Sequence, residues 1–265
     1  TPVLTANRGW QTIAGLCIGD KVFGRDGKPT TVWAKSPVHT NHECFELVFD
    51  NGESIIADAE HQWIVDEYQN RPNKRTMTTV EIFNTMGSRT NHAIYKAGAL
   101  EMPTCNLTCH PYALGVWLGD GSSRRGDLAC TDSEIHTRLQ TLGYDIYQTA
   151  DPDTWKSVKL RKELRELGFI KQDGSTPKCI PEEYMQASAA QRYMLLLGLM
   201  DTDGNASSDR GYCSICMVNE SLMLQVEELV RSLGIKVSMR TSIATCSQTG
   251  AKSLKYNLKW STPIK

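Results

Sequence analysis

The stretch that decides the fold is Leu196-Leu197-Gly198-Leu199-Met200-Asp201-Thr202-Asp203-Gly204, and an imperfect copy precedes it at Ala113-Leu114-Gly115-Val116-Trp117-Leu118-Gly119-Asp120-Gly121. Each copy is an apolar run with a glycine in the middle and an Asp-Gly pair at its end. Because both runs continue upstream into longer apolar patterns, they predict helices rather than strands. Each copy is followed by a similar run of elements, which indicates one structural unit built from two related halves.

The glycine inside each predicted helix indicates where the two helices meet. Glycine costs a helix interior about 1 kcal/mol relative to alanine, so Gly115 and Gly198 suggest close approach of another backbone. Helices packed glycine to glycine would bring their C-terminal ends together, with Asp120 and Asp203 side by side. Helix C-termini already carry partial negative charge. Two carboxylates there form an oxygen-rich site that suits Mg²⁺.

Both stretches resemble the LAGLIDADG motif of homing endonucleases, and Leu196–Gly204 is the better copy. Upstream of it, Lys178-Cys179-Ile180-Pro181-Glu182-Glu183-Tyr184 and Arg192 are similar to the segment that leads into the second motif in intein-borne members. The resemblance implies an α+β endonuclease domain over residues 111–265. That domain would be a pseudo-two-fold αββαββα repeat with halves at about 111–175 and 176–265.

The resemblance also implies the chemistry, which is metal-dependent hydrolysis of both strands of double-stranded DNA at a long target site. Asp120 and Asp203 would bind Mg²⁺, with Mn²⁺ as a substitute, and the preceding Gly119 and Thr202 would offer only backbone carbonyls. The family places a lysine near each scissile phosphate, late in each half on a strand. The matching residues are Lys159 and Lys259, with Lys156 and Lys255 as rivals three and four positions away.

A DNA-reading strand is expected at Ile235–Ile243, which alternates strictly between apolar and polar residues. Ile235, Val237 and Met239 would face a core, and Lys236, Ser238 and Arg240 would face outward. A cationic, hydrogen-bonding sheet face suits the major groove, although an ordinary solvated face has the same pattern. The stretch from Leu229 to Lys265 carries seven basic residues and no acid. Further DNA contacts are expected from Arg124, Arg125 and Lys255.

Residues 1–67 are predicted to be all-β. Asp26-Gly27 lies between Gly19–Gly24 and Thr30–Ala34, and Asp50-Asn51-Gly52 lies between Phe45–Phe49 and Glu53–Ala57. Asp-Gly and Asn-Gly between such runs are strong hairpin signals. This region resembles the first part of an intein's Hint (splicing) domain. In that family, the roles that assist cleavage of the upstream peptide bond would fall to His61 and Asp58 within Ala57–Trp63.

The chain as given is expected to be unable to splice. Splicing begins with an acyl shift onto a first-residue Cys or Ser, whereas this chain begins with Thr1 and ends Ser261-Thr262-Pro263-Ile264-Lys265 without a terminal Asn. The alternative is a self-splicing intein captured without its terminal residues. Residues 68–110 are predicted to be a polar linker, with DNA contact as a second possibility and a short helix at Thr78–Phe83.

Composition sets the remaining expectations. The net charge of −1 over 265 residues argues nothing for nucleic acid by itself. No signal peptide or apolar transmembrane run is found, so we expect a cytoplasmic monomer with reduced thiols and no membrane contact. Zinc is disfavoured at Cys213-x-x-Cys216, because residues three apart on a strand point to opposite faces, and at Cys105, Cys109 and His110. A DNA-binding regulator derived from this family would have lost its aspartates.

Overall fold

The computed structural model describes residues 2–68, 73–87, 91–170, 176–245 and 250–261. The chain divides into two compact units, Thr1–Leu100 and Glu101–Lys265, which we call the N-terminal and C-terminal units. Thr1 and residues 262–265, which the splicing argument used, lie outside the described residues. The division falls between the two boundaries predicted at 67/68 and 110/111.

The N-terminal unit is built mainly of short antiparallel strands. They form sheets in the orders β2-β1-β3-β4, β5-β6 and β8-β7-β9. The elements are β1 (Pro2–Thr5), β2 (Gly9–Thr12), β3 (Lys21–Phe23), β4 (Pro29–Thr31), β5 (Cys44–Val48), β6 (Ser54–Asp58), β7 (Gln62–Tyr68), β8 (Asn73–Thr78), α1 (Thr79–Thr85) and β9 (Asn91–Ile94).

Both predicted hairpins of this unit are confirmed. Strands β3 and β4 pair across the Asp26-Gly27 turn, and β5 and β6 pair across Asp50-Asn51-Gly52. Gly27 and Gly52 have φ of 82° and 86°, a left-handed conformation that glycine adopts without steric cost. The apolar core among the described residues is small and consists of Val65, Met77 and Ile82 with Trp63 packed against them.

The predicted linker over residues 68–110 is wrong for much of its length. Strand β8 pairs along β7, with Met77 opposite Trp63, and β9 pairs along the same strand β7. The short helix is confirmed as α1. Its first turn is fixed by a capping box in which the Thr78 hydroxyl accepts from the Glu81 N–H and the Glu81 carboxylate accepts from the Thr78 N–H. A low content of apolar residues concealed these elements, because β8 buries only Met77 among its described side chains.

The C-terminal unit contains two motif helices, a four-stranded sheet of order β12-β13-β15-β14 and a two-stranded β10-β11 sheet. Its elements are α2 (Pro111–Asp120), α3 (Ser133–Thr141), β10 (Tyr147–Gln148), β11 (Trp155–Lys156), α4 (Val158–Glu166), α5 (Glu182–Met185), α6 (Ala189–Asp203), β12 (Gly204–Ser207), β13 (Tyr212–Met217), α7 (Glu220–Ser232), β14 (Val237–Thr245) and β15 (Lys252–Ser261).

The core of this unit lies between the motif helices, the sheet and α7. Residues 111–118 of α2 are all buried, and α7 buries an amphipathic stripe that includes Leu222, Val226 and Leu229. One face of the four-stranded sheet joins this core through Ile215, Leu258 and other apolar residues. None of the described helices is long and apolar enough to cross a membrane.

The second half follows the predicted order of motif helix, hairpin, helix and hairpin, and the first half does so only in outline. In place of a first hairpin, the first half has a single bridge between Gly121 and Leu128. Its late strands β10 and β11 have two residues each. An additional helix, α4, follows β11.

Lys159 does not lie on a strand, so this part of its prediction is wrong. It belongs to α4, because the Ser157 hydroxyl caps that helix by accepting from the Leu160 N–H at 3.1 Å. Leu160 and Leu164 are four residues apart, so they lie on one side of the helix, and both are buried. The Lys159 ammonium lies 4.6 Å from the centre of the Tyr144 ring and donates to the Gly143 carbonyl.

Candidate active site

The two motif helices touch through their internal glycines. A Cβ on Gly115 would lie 2.3 Å from the Leu195 carbonyl oxygen, and a Cβ on Gly198 would lie 2.2 Å from the Tyr112 carbonyl oxygen. Both distances are far below van der Waals contact, so no other residue fits at either position without separating the helices. Each glycine lowers the stability of its own helix, and the close packing of the two backbones that it permits offsets this loss.

One turn further along, the two helices are not alike. A Cβ on Gly119 would lie 2.1 Å from the Thr202 hydroxyl oxygen and 3.4 Å from a carboxylate oxygen of Asp203. The Thr202 hydroxyl donates within its own helix, to the Gly198 carbonyl at 3.2 Å or the Leu199 carbonyl at 3.1 Å. Thr202 thus fills the space that Gly119 leaves open, and its side chain serves the contact between α2 and α6.

Asp120 and Asp203 are the last residues of α2 and α6, and this packing brings them together. Burial, followed by the nearby Asp203 carboxylate, raises the pKa of Asp120. Burial also raises the pKa of Asp203, while the Lys178 ammonium opposes that shift. Two partly desolvated carboxylates at adjacent helix ends have an excess of negative charge, which a divalent cation would compensate. The donor set therefore fits Mg²⁺ or Mn²⁺.

Lys178 is the residue of this site to which sequence reasoning gave no role. Its ammonium donates to the Leu118 carbonyl at 3.0 Å and the Gly119 carbonyl at 2.9 Å. Burial lowers the pKa of Lys178, and both aspartates oppose that shift. The Gly119 carbonyl, which was expected to be available to a metal, thus accepts one hydrogen bond from Lys178. The only sequence signal was its place at the start of the segment Lys178–Tyr184.

The third acid of the second motif, Asp201, is held in a separate network. Its carboxylate accepts from the Tyr112 hydroxyl at 2.7 Å and pairs with the Arg138 guanidinium at 2.9 Å. Burial and the bond to Asp201 raise the pKa of Tyr112. These contacts tie α3 to both motif helices. They also direct the Asp201 carboxylate to protein partners rather than to the site at the helix ends.

The outer face of the four-stranded sheet is polar and cationic. The strand register places Asn205, Ser214, Lys259 and Ser238 in one row across the sheet. The adjoining positions on the same face are Cys216, Asn257 and Arg240, followed by Lys255 opposite Ser242. The predicted alternation is confirmed from Val237, which is buried, to Ser238 and Arg240, which are exposed. It fails further along β14, where Thr241 and Ile243 are both exposed.

The expected DNA-contacting residues are distributed over two places. Ser238, Arg240 and Lys255 share the outer sheet face, and the exposed Lys236 immediately precedes β14. Arg124 and Arg125 instead line a cleft beside Asp120.

The strand lysines differ between the two halves. Lys259 lies on β15, as predicted, with its ammonium 3.5 Å from the centre of the Tyr212 ring. In the first half Leu128 pairs with Trp155, as Ile215 pairs with Leu258 in the second. By this register Lys156, and not Lys159, is the first-half counterpart of Lys259.

The N-terminal unit does not join the Asp58 and His61 side chains by a hydrogen bond among its described contacts. The Asp58 carboxylate instead pairs with His42 Nδ1 at 2.6 Å and accepts from the Glu60 N–H at 2.8 Å. These bonds, with that to Glu60 the larger cause, lower the pKa of Asp58. His61 contacts the Trp63 ring edge-on, and its N–H donates to the Asp58 carbonyl. The sequence analysis gave His42 no role.

The Cys-x-x-Cys pair lies on a single strand of the sheet. Cys213 and Cys216 lie on β13, where residues three apart face opposite sides. Within the described part of the chain, no three His, Cys, Asp or Glu side chains are placed to hold a metal ion. Burial raises the pKa of the Cys109 thiol, which keeps it in its unreactive form.

Comparison with known proteins shows what this chain is similar to. A family model described as homing endonuclease matches residues 179–263, which include α6 and the whole four-stranded sheet. Over an alignment of 287 residues the chain is 33% identical to the replicative DNA helicase DnaB of Mycobacterium intracellulare. That alignment covers 100% of this chain and 47% of the relative, so the chain spans about half the length of the relative.

Two solved structures are similar to parts of the chain. A crystal structure of the MchDnaB-1 intein is 30% identical, with 37% of this chain and 72% of that chain covered and a TM-score of 0.27. A crystal structure of I-DmoI in complex with DNA and Mn is 17% identical, with 57% and 88% covered and a TM-score of 0.35. By sequence, residues 179–263 are therefore similar to homing endonucleases, and the whole chain is similar to part of a replicative helicase.

Proposed function

We propose that this protein is a site-specific endonuclease that cuts both strands of double-stranded DNA in a reaction that requires Mg²⁺, for which Mn²⁺ substitutes. The observation that carries the proposal is the placement of Asp120 and Asp203 at adjacent helix ends, where burial raises the pKa of both carboxylates. Because ionised carboxylates in that position are costly without a counter-charge, the arrangement suits cation binding better than structural stability.

The residues of this site have distinct roles in the proposed reaction. A divalent cation held there would polarise a scissile phosphate and lower the pKa of an attacking water. Asp120 and Asp203 hold the cation, one from each half of the unit. The Lys178 ammonium is bonded to the Leu118 and Gly119 carbonyls and interacts electrostatically with both carboxylates; there it would also attract a phosphate. Lys156 and Lys259 occupy matching strand positions for further phosphate contacts.

The metal requirement is tested by removing the ion. Purified protein and a supercoiled plasmid that carries its target should yield linear DNA with Mg²⁺ or Mn²⁺, and no product after EDTA treatment. Activity should return when Mg²⁺ is restored in excess, because the carboxylates remain in place. Linear product at an undiminished rate in EDTA would contradict the metal assignment of Asp120 and Asp203.

We further propose that the outer face of the four-stranded sheet binds the DNA. Its cationic and hydrogen-bonding side chains lie in register across the sheet, while the opposite face is committed to the core. The net charge of −1 provides little non-specific attraction. Affinity is therefore expected to depend on these local contacts.

Arg240 and Lys236 are expected to contribute differently to that binding. If Arg240 reads a base edge, Arg240→Ala should weaken binding by about 1–3 kcal/mol and relax preference at one position of the target. If Lys236 contacts only phosphate, Lys236→Ala should weaken binding to all sequences alike and lower the salt slope by about one. Binding isotherms at several salt concentrations, on cognate and singly substituted duplexes, separate these effects. Wild-type affinity and salt slope in both variants would place the DNA on another surface.

A second candidate function, protein splicing, is favoured by the separate N-terminal unit and its Asp58 and His61. The test is to express the chain within the reading frame of its encoding gene and to look for ligated flanking sequences by mass spectrometry. Splicing that His61→Ala abolishes would establish this second activity beside the nuclease. Intact precursor alone would leave the nuclease as the function of the chain.

A further inference from the structure

The two motif helices are held at their C-terminal ends by different contacts. The last turn of α2 is held by Lys178, whose ammonium donates to two of its carbonyls. The last turn of α6 is held through a side chain, the carboxylate of Asp201. One oxygen of that carboxylate, Oδ2, accepts from the Tyr112 hydroxyl at 2.7 Å and from the Arg138 guanidinium at 2.9 Å. We call Tyr112, Arg138 and Asp201 the polar clamp.

The polar clamp fixes the Asp201 side chain from two other helices. Tyr112 belongs to α2 and is completely buried, so its hydroxyl is an immobile donor. Arg138 belongs to α3, and its guanidinium lies 5.0 Å from the centre of the Tyr112 ring. The ends of helices otherwise fray. Because Asp203 follows Asp201 by two residues within the same turn, a contact that holds Asp201 also restrains Asp203.

The charge of this turn explains why one partner is an arginine. The sequence of the turn, Met200-Asp201-Thr202-Asp203, has two acids and no base, and helix C-termini carry partial negative charge. Arg138 supplies from α3 the counter-charge that α6 itself lacks here. The Arg138 and Asp201 side chains are 46% and 30% exposed, and ion pairs as exposed as this one stabilise a fold only slightly. Stability alone therefore gives little reason for the pair.

The second half of the C-terminal unit shows that packing does not require a polar clamp. The two motifs, aligned on their Asp-Gly ends, and the helices α3 and α7, aligned on their Leu-Gly ends, relate each clamp residue to a position in the other half. The positions related to Tyr112, Asp201 and Arg138 are, in that order, Leu195, Leu118 and Leu229. All three leucines are buried in the core of the unit. The same place in the fold is thus filled by apolar side chains in one half and by polar ones in the other.

We propose that Tyr112 and Arg138 are positioning residues that hold the last turn of α6 through Asp201 and thereby fix the carboxylate of Asp203. The proposal deepens the nuclease function proposed above and rests on it for its catalytic consequence. Neither residue touches the reacting atoms in this role. Since Asp203 serves one half of the site, loss of the clamp should affect the cleavage of one DNA strand more than that of the other.

The competing explanation is that the polar clamp only ties α3 to the motif helices. Its loss would then lower the stability of the whole unit, speed amide exchange throughout that unit, and slow the cleavage of both strands alike. The two explanations differ in where the structure loosens and in which strand is affected.

The first test measures amide hydrogen exchange in the full chain without metal or DNA. Tyr112→Phe removes only the hydroxyl, and Arg138→Met removes the charge. In both variants the Gly204 N–H, which donates to the Met200 carbonyl at the end of α6, should exchange about tenfold faster or more, because local opening becomes easier. Amides in the middle of α7 should keep their wild-type rates. Circular dichroism reports whether both variants fold.

The second test uses a target duplex labelled on one strand at a time. Both variants should lower kcat for one strand by about 10–10²-fold, the scale of a small displacement of a reacting group, with little change in KM. Arg138→Lys retains a positive charge and should recover a large part of that rate. The matched control is Arg231→Met, which breaks the ion pair with Glu227 on α7 and should leave both strands cut at wild-type rates.

An unchanged exchange rate at Gly204 in both clamp variants would overturn the proposal, as would faster exchange with undiminished cleavage. Equal slowing of both strands, with faster exchange throughout the unit, would establish the competing explanation instead. A wild-type protein that cuts neither strand would refute the nuclease function, while hydrogen exchange would still decide whether Tyr112 and Arg138 hold the end of α6.

Discussion

Asp203→Asn and Asp120→Asn are each expected to reduce cleavage of at least one DNA strand by about 10²–10³-fold, the scale of losing one preorganised electrostatic contact to the transition state. The amide keeps the shape of the carboxylate but removes the charge that binds the cation. Binding to the uncut target should remain close to that of the wild type, because the sheet face is untouched. Plasmid nicking and linearisation, measured beside binding isotherms, separate the two effects.

The same substitutions should make the metal-free protein more stable at neutral pH. Burial raises the pKa of both carboxylates, so the folded state binds these protons more tightly than the unfolded state and ionisation opposes folding. The wild type should therefore gain stability from these groups as the pH falls through their folded pKa values. The Tm advantage of each Asn variant should be largest at neutral pH and shrink on acidification.

Asp209→Asn is the control for both measurements, because this exposed acid is hydrogen-bonded to the adjacent Ser208. It should leave cleavage and Tm near their wild-type values. Full-rate linearisation by both site variants would show that these carboxylates do not carry the reaction. A lower Tm in Asp203→Asn at neutral pH would contradict the inferred cost of ionisation.

Gly198→Leu is expected to reduce cleavage more than it reduces stability. The new side chain would meet the Tyr112 carbonyl and force α2 and α6 apart. Overpacking of this kind costs about 1–3 kcal/mol in folding. Displacement of reacting groups by about 1 Å can cost about 10²-fold in rate, and the separation would act on both carboxylates at once.

The matched control for Gly198→Leu is Tyr193→Leu, which places the same side chain on an exposed position of α6. That variant should retain wild-type cleavage. Urea unfolding and plasmid cleavage, measured on both proteins, separate folding from activity. Undiminished cleavage by Gly198→Leu would show that the distance between the helices at this level does not set the geometry of the site.

The sequence was most informative where one residue type has one physical explanation. Glycines inside apolar helices predicted a close contact, and the structure brings Gly115 and Gly198 to backbone distance. Asp-Gly and Asn-Gly pairs predicted two hairpins, and both form. Alternation predicted the exposed side chains of Ser238 and Arg240 in the first half of β14. In each case the residues that set the local conformation are also the residues that make the tertiary contact.

Sequence reasoning failed where the decisive contact comes from distant residues. Lys159 was predicted on a strand because its sequence neighbours have β propensity. Ser157 instead caps a helix, and that helix forms because Leu160 and Leu164 face the core. The placement of Lys178 depends on the carbonyls of Leu118 and Gly119, some sixty positions away. The spacing of residues within one helix or strand does not predict contacts of this kind.

The pairing of Thr202 with Gly119 restricts how this molecule can change. Two separate copies of the second half would oppose threonine with threonine at this level and collide, whereas two copies of the first half would oppose glycine with glycine and leave a void. Only a chain with threonine on one motif helix and glycine on the other fills the space. A symmetric homodimer of either half alone would need a different residue at this position. The two helix ends of the joined chain can therefore carry different neighbouring side chains.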